Sequence, residues 1–230
     1  MKNQYEQWID EVANNGGNTI RVWVHINGAS SPKWSGGYAS GADTDSLISE
    51  LGSLLDKAAS RNVFVILVLW NLAETPGDEL KNMFWDEGKL NTYLDKVLKP
   101  MAKNLSGKQA LAAWEIINEP GGSVAIQGDS NPCFDTNNLG NSGAGWKGTN
   151  LPMKNILKFI NRHIAAIKSV AGNILCTVGE WSEKGTTNSN SVCSECRNYY
   201  TDQCLRAAGG EYSGVLGQYI HILKIFNLIN

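Results

Sequence analysis

Residues 63 to 70 read VFVILVLW, eight apolar residues with no polar side chain to turn toward water. A strand with one wet face alternates apolar and polar residues. A strand without that alternation is covered on both faces, as in a parallel sheet flanked by helices. The rest of the chain fits the same plan. Strands are predicted at Asn18–Ile26, Val63–Trp70, Ala110–Asn118, Ile174–Val178 and Val215–Leu223. Between them, helices are predicted at Asn3–Asn14, Thr44–Arg61, Lys89–Leu105 (disturbed at Pro100), Met153–Val170 and Arg197–Ala208. Such alternation leaves two architectures, an open doubly wound sheet or a (β/α)8 barrel. No GxGxxG or GxxxxGK[ST] follows a strand, which removes the usual nucleotide-binding reasons for the open sheet. In NTIRVWVHI, Ile20, Val22, Val24 and Ile26 fall on one face and Arg21, Trp23 and His25 on the other. An Arg-Trp-His face suits a barrel interior near its mouth.

The formal net charge is −2, so no strong field draws nucleic acid or an anionic membrane surface. No apolar run approaches the roughly 20 residues of a membrane span. The start, MKNQYEQWID, is polar and does not read as a secretory signal. Eight tryptophans are many for 230 residues, and aromatic rings in excess of core needs suit flat ligands such as sugar rings.

The stretch WEIINEP, Trp114 to Pro120, carries the chemistry. An apolar strand delivers an amide, Asn118, and a carboxyl, Glu119, to its tip, and Pro120-Gly121-Gly122 then turns the chain away. A carboxyl at a strand tip can protonate a departing glycosidic oxygen. Partial burial and a nearby anion raise the pKa of such a group, and an adjacent amide can hold the sugar 2-hydroxyl. Glu115, Ile117 and Glu119 share one face by alternation, with Trp114, Ile116 and Asn118 on the other. Glu115 needs a partner, and Arg21 is the candidate.

GGNTIRVWVH (Gly16 to His25), WEIINEP and VGEWSEK (Val178 to Lys184) together resemble glycoside hydrolase family 5, and within it the invertebrate, especially molluscan, β-1,4-mannanases. The resemblance covers residues 3 to 215 and implies a partial (β/α)8 TIM barrel, an α/β fold. It makes Glu119 the general acid/base, Asn118 the 2-hydroxyl contact and Arg21 the strand-two arginine that orients the carboxylates. Trp23, His25, Trp70 and Trp181 become cleft residues at strand ends, and His221 matches a strand-six histidine. Trp70-Asn71 stands where many members carry histidine, a departure that favours mannanase over cellulase. The resemblance further implies a polysaccharide substrate, no metal or cofactor, an extracellular setting and a monomer.

The predicted strands begin 41 to 64 residues apart, so eight units exceed the roughly 250 residues of a typical barrel. The expectation is therefore strands two to six, an incomplete catalytic domain over residues 1–215 and an aberrant end over 216–230. The nucleophile, expected at strand seven, would then lie outside the chain, with Glu180 the sole substitute within it. Glu74, Asp78 and Asp86 are expected to be solvated or to contact substrate. Four of five cysteines, Cys133, Cys193, Cys196 and Cys204, lie in or near loops and suit two disulfides of open pairing; Cys176 reads as a buried thiol. Three other readings stay open: a cellulase on the same scaffold, a non-catalytic sugar binder, and a plain open α/β protein in which Glu119 is structural.

Overall fold

A computed structural model of the chain describes residues 2–41, 43–172, 174–191 and 194–209. His221, the strand at Val215–Leu223, the segment 216–230 and Cys193 lie outside the described residues. Four parallel strands form the sheet: β1 (Thr19–Ile26), β4 (Phe64–Asn71), β5 (Leu111–Asn118) and β6 (Leu175–Gly179). Their spatial order is β1-β4-β5-β6, each beside the next with no reversal. A doubly wound sheet reverses at a switch point, whereas a barrel wall runs on in one direction. A small antiparallel hairpin, β2 (Trp34–Ser35) and β3 (Tyr38–Ala39), was not legible in the sequence. Its two-residue turn, Gly36-Gly37, has φ of +59° and +79°, the left-handed pair that a tight hairpin turn requires.

The helices α1 (Lys2–Asn14), α2 (Thr44–Ser60), α3 (Asp78–Met83), α4 (Glu87–Tyr93), α5 (Lys99–Leu105), α6 (Met153–Ala171) and α7 (Asp202–Ala207) complete the described elements. The long helix read at Lys89–Leu105 is divided. Pro100 supplies no backbone N–H, and the turn before α5, Leu94–Leu98, is wound as a π-helix between α4 and α5. The Asp86 side chain caps α4 by accepting from the Lys89 N–H at 3.1 Å. Asp78 pairs with Lys81 at 3.0 Å, so both acids serve their own helices.

The core lies between the strands and the helices. Val65, Leu67 and Leu69 of β4 pack there with Leu51, Leu54 and Leu55 of α2 and Ile156, Ile160 and Ile164 of α6. Trp70, Tyr93, Phe159 and His163 form an aromatic cluster in the same layer. The Trp70 indole N–H donates to His163 Nε2 at 3.1 Å, and His163 Nδ1 lies 2.8 Å from the Phe159 carbonyl. Cys133 and Cys204 form a disulfide that ties the loop after β5 to α7, Cys196 is also disulfide-bonded, and Cys176 is a buried free thiol. Among the described residues no helix is long and apolar enough to cross a membrane.

Candidate active site

Strict alternation breaks near the C-terminal ends of the strands, and the break builds the site. The β1–β4 register slips between Trp23 and Ile26, and the β5–β6 register slips between Glu115 and Asn118. An extra residue in one strand of a pair re-aims the side chains that follow it. Glu115 and Asn118 are three apart and would face opposite ways in a regular strand. Here both reach Arg21. Its Nε donates to Glu115 Oε2 at 3.0 Å, and its Nη2 to Glu115 Oε1 at 2.5 Å and to Asn118 Oδ1 at 3.0 Å. Asn118 Nδ2 donates to Asn71 Oδ1 at 2.9 Å. The inner face thus carries Arg21, Trp23, Asn71, Glu115 and Asn118, with the Arg21 guanidinium 5.4 Å from the Trp23 ring centre. The reading that set Asn118 on the face away from Glu115 is corrected by this slip.

The same slips remove two expected cleft residues. His25 is buried in the helix-facing layer, its ring 4.7 Å from Trp70 and 5.5 Å from Tyr93, with Nδ1 2.8 Å from Ser31 Oγ. Burial pushes its imidazole down to about 3, so it is neutral. Trp70 is 0% exposed and packs on α4 and α6. Neither ring can meet a sugar. Asn71, one residue on, takes the inward position instead.

Burial pushes the Glu115 carboxyl up, Arg21 pulls it back by hydrogen bond and charge, and the Glu119 charge pushes it up again. Glu119 itself is half-buried and sits at φ 48°, ψ 52°. A glutamate rarely adopts this left-handed conformation, which costs roughly 1–2 kcal/mol. Its N–H donates to the Gly179 carbonyl, and its own carbonyl accepts from Gly122. The left-handed residue turns the chain out of β5 into the Pro120–Gly122 turn.

Two exposed tryptophans grip that turn. Trp181 follows β6 and is 36% exposed; Trp146, in the long loop between β5 and α6, is 44% exposed. Their rings meet edge to face at 5.0 Å. The Gly145 N–H donates to the Gly121 carbonyl and the Lys147 N–H to Gly122, which lays Trp146 against Gly122. Trp146 was not singled out from the sequence; the two adjacent glycines after Pro120 are the one signal that something large packs there. Glu180 stands behind the turn. Its Oε1 accepts the Trp181 N–H at 2.8 Å, and its Oε2 accepts from the Tyr200 hydroxyl. Burial pushes its carboxyl up to about 7, against hydrogen bonds from Tyr200, Trp181 and Gly121 that lower it, while the Glu119 charge raises it.

An acid at a strand tip, with an amide and an arginine beside it and exposed indoles around it, is a layout suited to holding and protonating a glycoside. The cellulase family model, glycosyl hydrolase family 5, matches residues 1–201. The chain belongs to glycosyl hydrolase family 5. Among solved structures of this family's fold, endo-1,4-β-mannanase from Eisenia fetida is 44% identical with a TM-score of 0.86, covering 91% of this chain and 57% of that one. The β-1,4-D-mannanase from Cryptopygus antarcticus is 46% identical with a TM-score of 0.84, covering 89% and 56%. A curated relative, mannan endo-1,4-β-mannosidase from Mytilus edulis, is 39% identical over 222 residues, 95% of this chain and 59% of its own length. The chain therefore spans less than two thirds of the length of these relatives. Membership in the family makes the fold a (β/α)8 barrel, of which the described residues hold four consecutive strands.

Proposed function

We propose that the protein is an endo-acting, retaining β-1,4-mannanase in which Glu119 is the general acid/base. The observation that carries this reading is the arrangement around Glu119: a carboxyl in a strained left-handed conformation, next to Asn118, which Arg21 and Asn71 hold in place. The substrate class is supported by relatives between 39% and 46% identical, whose names give mannan or β-1,4-mannan as the target.

In this reading Glu119 gives its proton to the glycosidic oxygen as that bond breaks, and a second carboxylate attacks the anomeric carbon from the opposite face. Glu119 then takes a proton from the water that releases the covalent sugar. Asn118 has two amide hydrogens. One goes to Asn71 Oδ1, which leaves the other for the sugar 2-hydroxyl. Arg21 pairs with Glu115 and keeps Asn118 oriented, so the inner face is fixed before substrate arrives. Trp23, Trp146 and Trp181 offer flat apolar faces to sugar rings. His221 keeps its proposed place as a cleft residue.

Glu180 is not taken as the nucleophile. A nucleophilic carboxylate must be an anion, whereas burial pushes Glu180 up to about 7 and both of its oxygens are engaged. We place the nucleophile outside the described residues. Secretion is also proposed, and the Cys133–Cys204 disulfide supports an oxidising compartment. The test uses the natural protein, with any sequence that flanks these residues. Reducing ends released from galactomannan should outpace those from carboxymethylcellulose by at least about tenfold, a gap of about 1.4 kcal/mol in transition-state binding. A preference for carboxymethylcellulose would make the protein a cellulase.

A further inference from the structure

Glu180 has no part in the proposed chemistry, yet it is the most heavily engaged carboxyl near Glu119. It stands at the junction of three segments. The first is the turn after Glu119: a Cβ placed on Gly121 would lie 2.6 Å from Glu180 Oε1 and 2.9 Å from the Trp181 ring. The Gly121 backbone N–H also acts on this carboxyl, lowering its pKa. The second is the exit of β6, where the Trp181 N–H donates to Oε1 at 2.8 Å. The third is the segment before α7, where the buried Tyr200 hydroxyl donates to Oε2. That segment is itself held, because Cys204 of α7 is bonded to Cys133 in the loop that follows the Glu119 turn. The carboxyl thus fastens the Glu119 turn to β6 on one side and to a disulfide-anchored segment on the other.

We propose that Glu180 is a positioning residue for Glu119, acting through the Gly121 turn, with Tyr200 as its brace. This rests on the reading of Glu119 as the acid/base. A misplaced proton donor slows reactions that need the proton and spares those that do not, and a displacement of about 1 Å costs on the order of 10²-fold. A purely structural role would slow every substrate alike.

The experiment compares two substrates in the natural protein. Mannohexaose has a sugar leaving group that must be protonated; 2,4-dinitrophenyl β-mannobioside has a leaving group that departs as an anion. Both are followed as kcat/KM, which reports the first bond cleavage. Glu180→Ala should lower kcat/KM on mannohexaose by about 50-fold or more and on the aryl substrate by less than about 3-fold. Glu180→Gln, which keeps an acceptor for the two N–H groups and a polar partner for Tyr200, should stay within about 3-fold of the parent on both. Tyr200→Phe should move the same way as Glu180→Ala by a smaller factor, and it stands in for that variant if the alanine protein does not fold. An equal fall on both substrates, or no fall on mannohexaose, overturns the proposal while leaving the acid/base reading intact. If the parent protein cleaves neither substrate, the mannanase reading fails and the proposal falls with it.

Discussion

Arg21 and Asn118 lie on strands that do not touch, β1 and β5, yet Arg21 Nη2 donates to Asn118 Oδ1 at 3.0 Å across the inner face of the sheet. β4 lies between them, and the side chains bridge over it. The contact exists because β5 slips by one residue after Glu115, so the same guanidinium holds both a buried carboxylate and the amide beside the acid.

Removing Arg21 would leave Glu115 buried without a counter-charge. Arg21 is itself 35% exposed, so part of the penalty is screened by water. Arg21→Ala should cost about 2 kcal/mol in urea unfolding, below the 3–5 kcal/mol of a fully buried pair. Arg21→Lys should recover less than half of that, because an ammonium cannot reproduce the forked contact to Glu115 and the third bond to Asn118.

Gly179 and Gly122 should respond differently to alanine. A Cβ on Gly179 would run into Glu115 Oε1, a group fixed by Arg21. Gly179→Ala should therefore destabilise by about 2–3 kcal/mol, a typical overpacking cost. A Cβ on Gly122 would meet the Trp146 ring at 2.5 Å, but that ring is exposed and can swing away. Gly122→Ala should cost less than about 1 kcal/mol and shift tryptophan fluorescence to the red as Trp146 loses its seat. Thermal melts and emission spectra of the two variants check both.

His25 and His163 are both pushed down to about 3 by burial. In the unfolded chain they titrate near 6.5. As pH falls below 6.5 the unfolded state takes up protons that the folded state refuses, so stability is full above 6.5 and is lost toward pH 3. Each contributes a slope of about 1.4 kcal/mol per pH unit in that window. NMR of the two imidazoles in the folded protein should show no protonation at pH 5; a midpoint near 6.5 for either would contradict the buried cluster.

The Cys133–Cys204 bond closes a separation of 71 residues. Reduction should lower stability by about 4 kcal/mol on the chain-entropy account. Cys176 is buried, and burial pushes its thiol up to about 12, so it should not react with a thiol reagent until the protein unfolds. Melting with and without reductant, and a timed thiol titration, test the two statements.

The sequence made the alternation of helix and strand legible because VFVILVLW and its neighbours carry patterns that helices and exposed strands do not. Four strand positions read from the sequence agree with β1, β4, β5 and β6 to within a residue or so at each end. Arg21 and Glu115 were legible as partners because a buried acid demands one. What alternation cannot show is a register slip. A slip depends on how two strands pair, so the resemblance and the strand-end positions place His25 and Trp70 in the cleft while their rings lie among the helices. The hairpin at Trp34–Ala39 escaped because two-residue strands leave no period to read. Trp146 escaped because its position depends on backbone bonds from its loop to Gly121 and Gly122, far from it in sequence.

The most direct test of the account is Glu119→Gln in the natural protein, with release of reducing ends from β-mannan as the readout and an unchanged melt as the check on folding. Glutamine keeps the shape and loses the proton, so the rate should fall by about 10²–10⁴-fold, the usual worth of a general acid/base. A folded variant that cleaves mannan at the parent rate would show that the acid lies elsewhere.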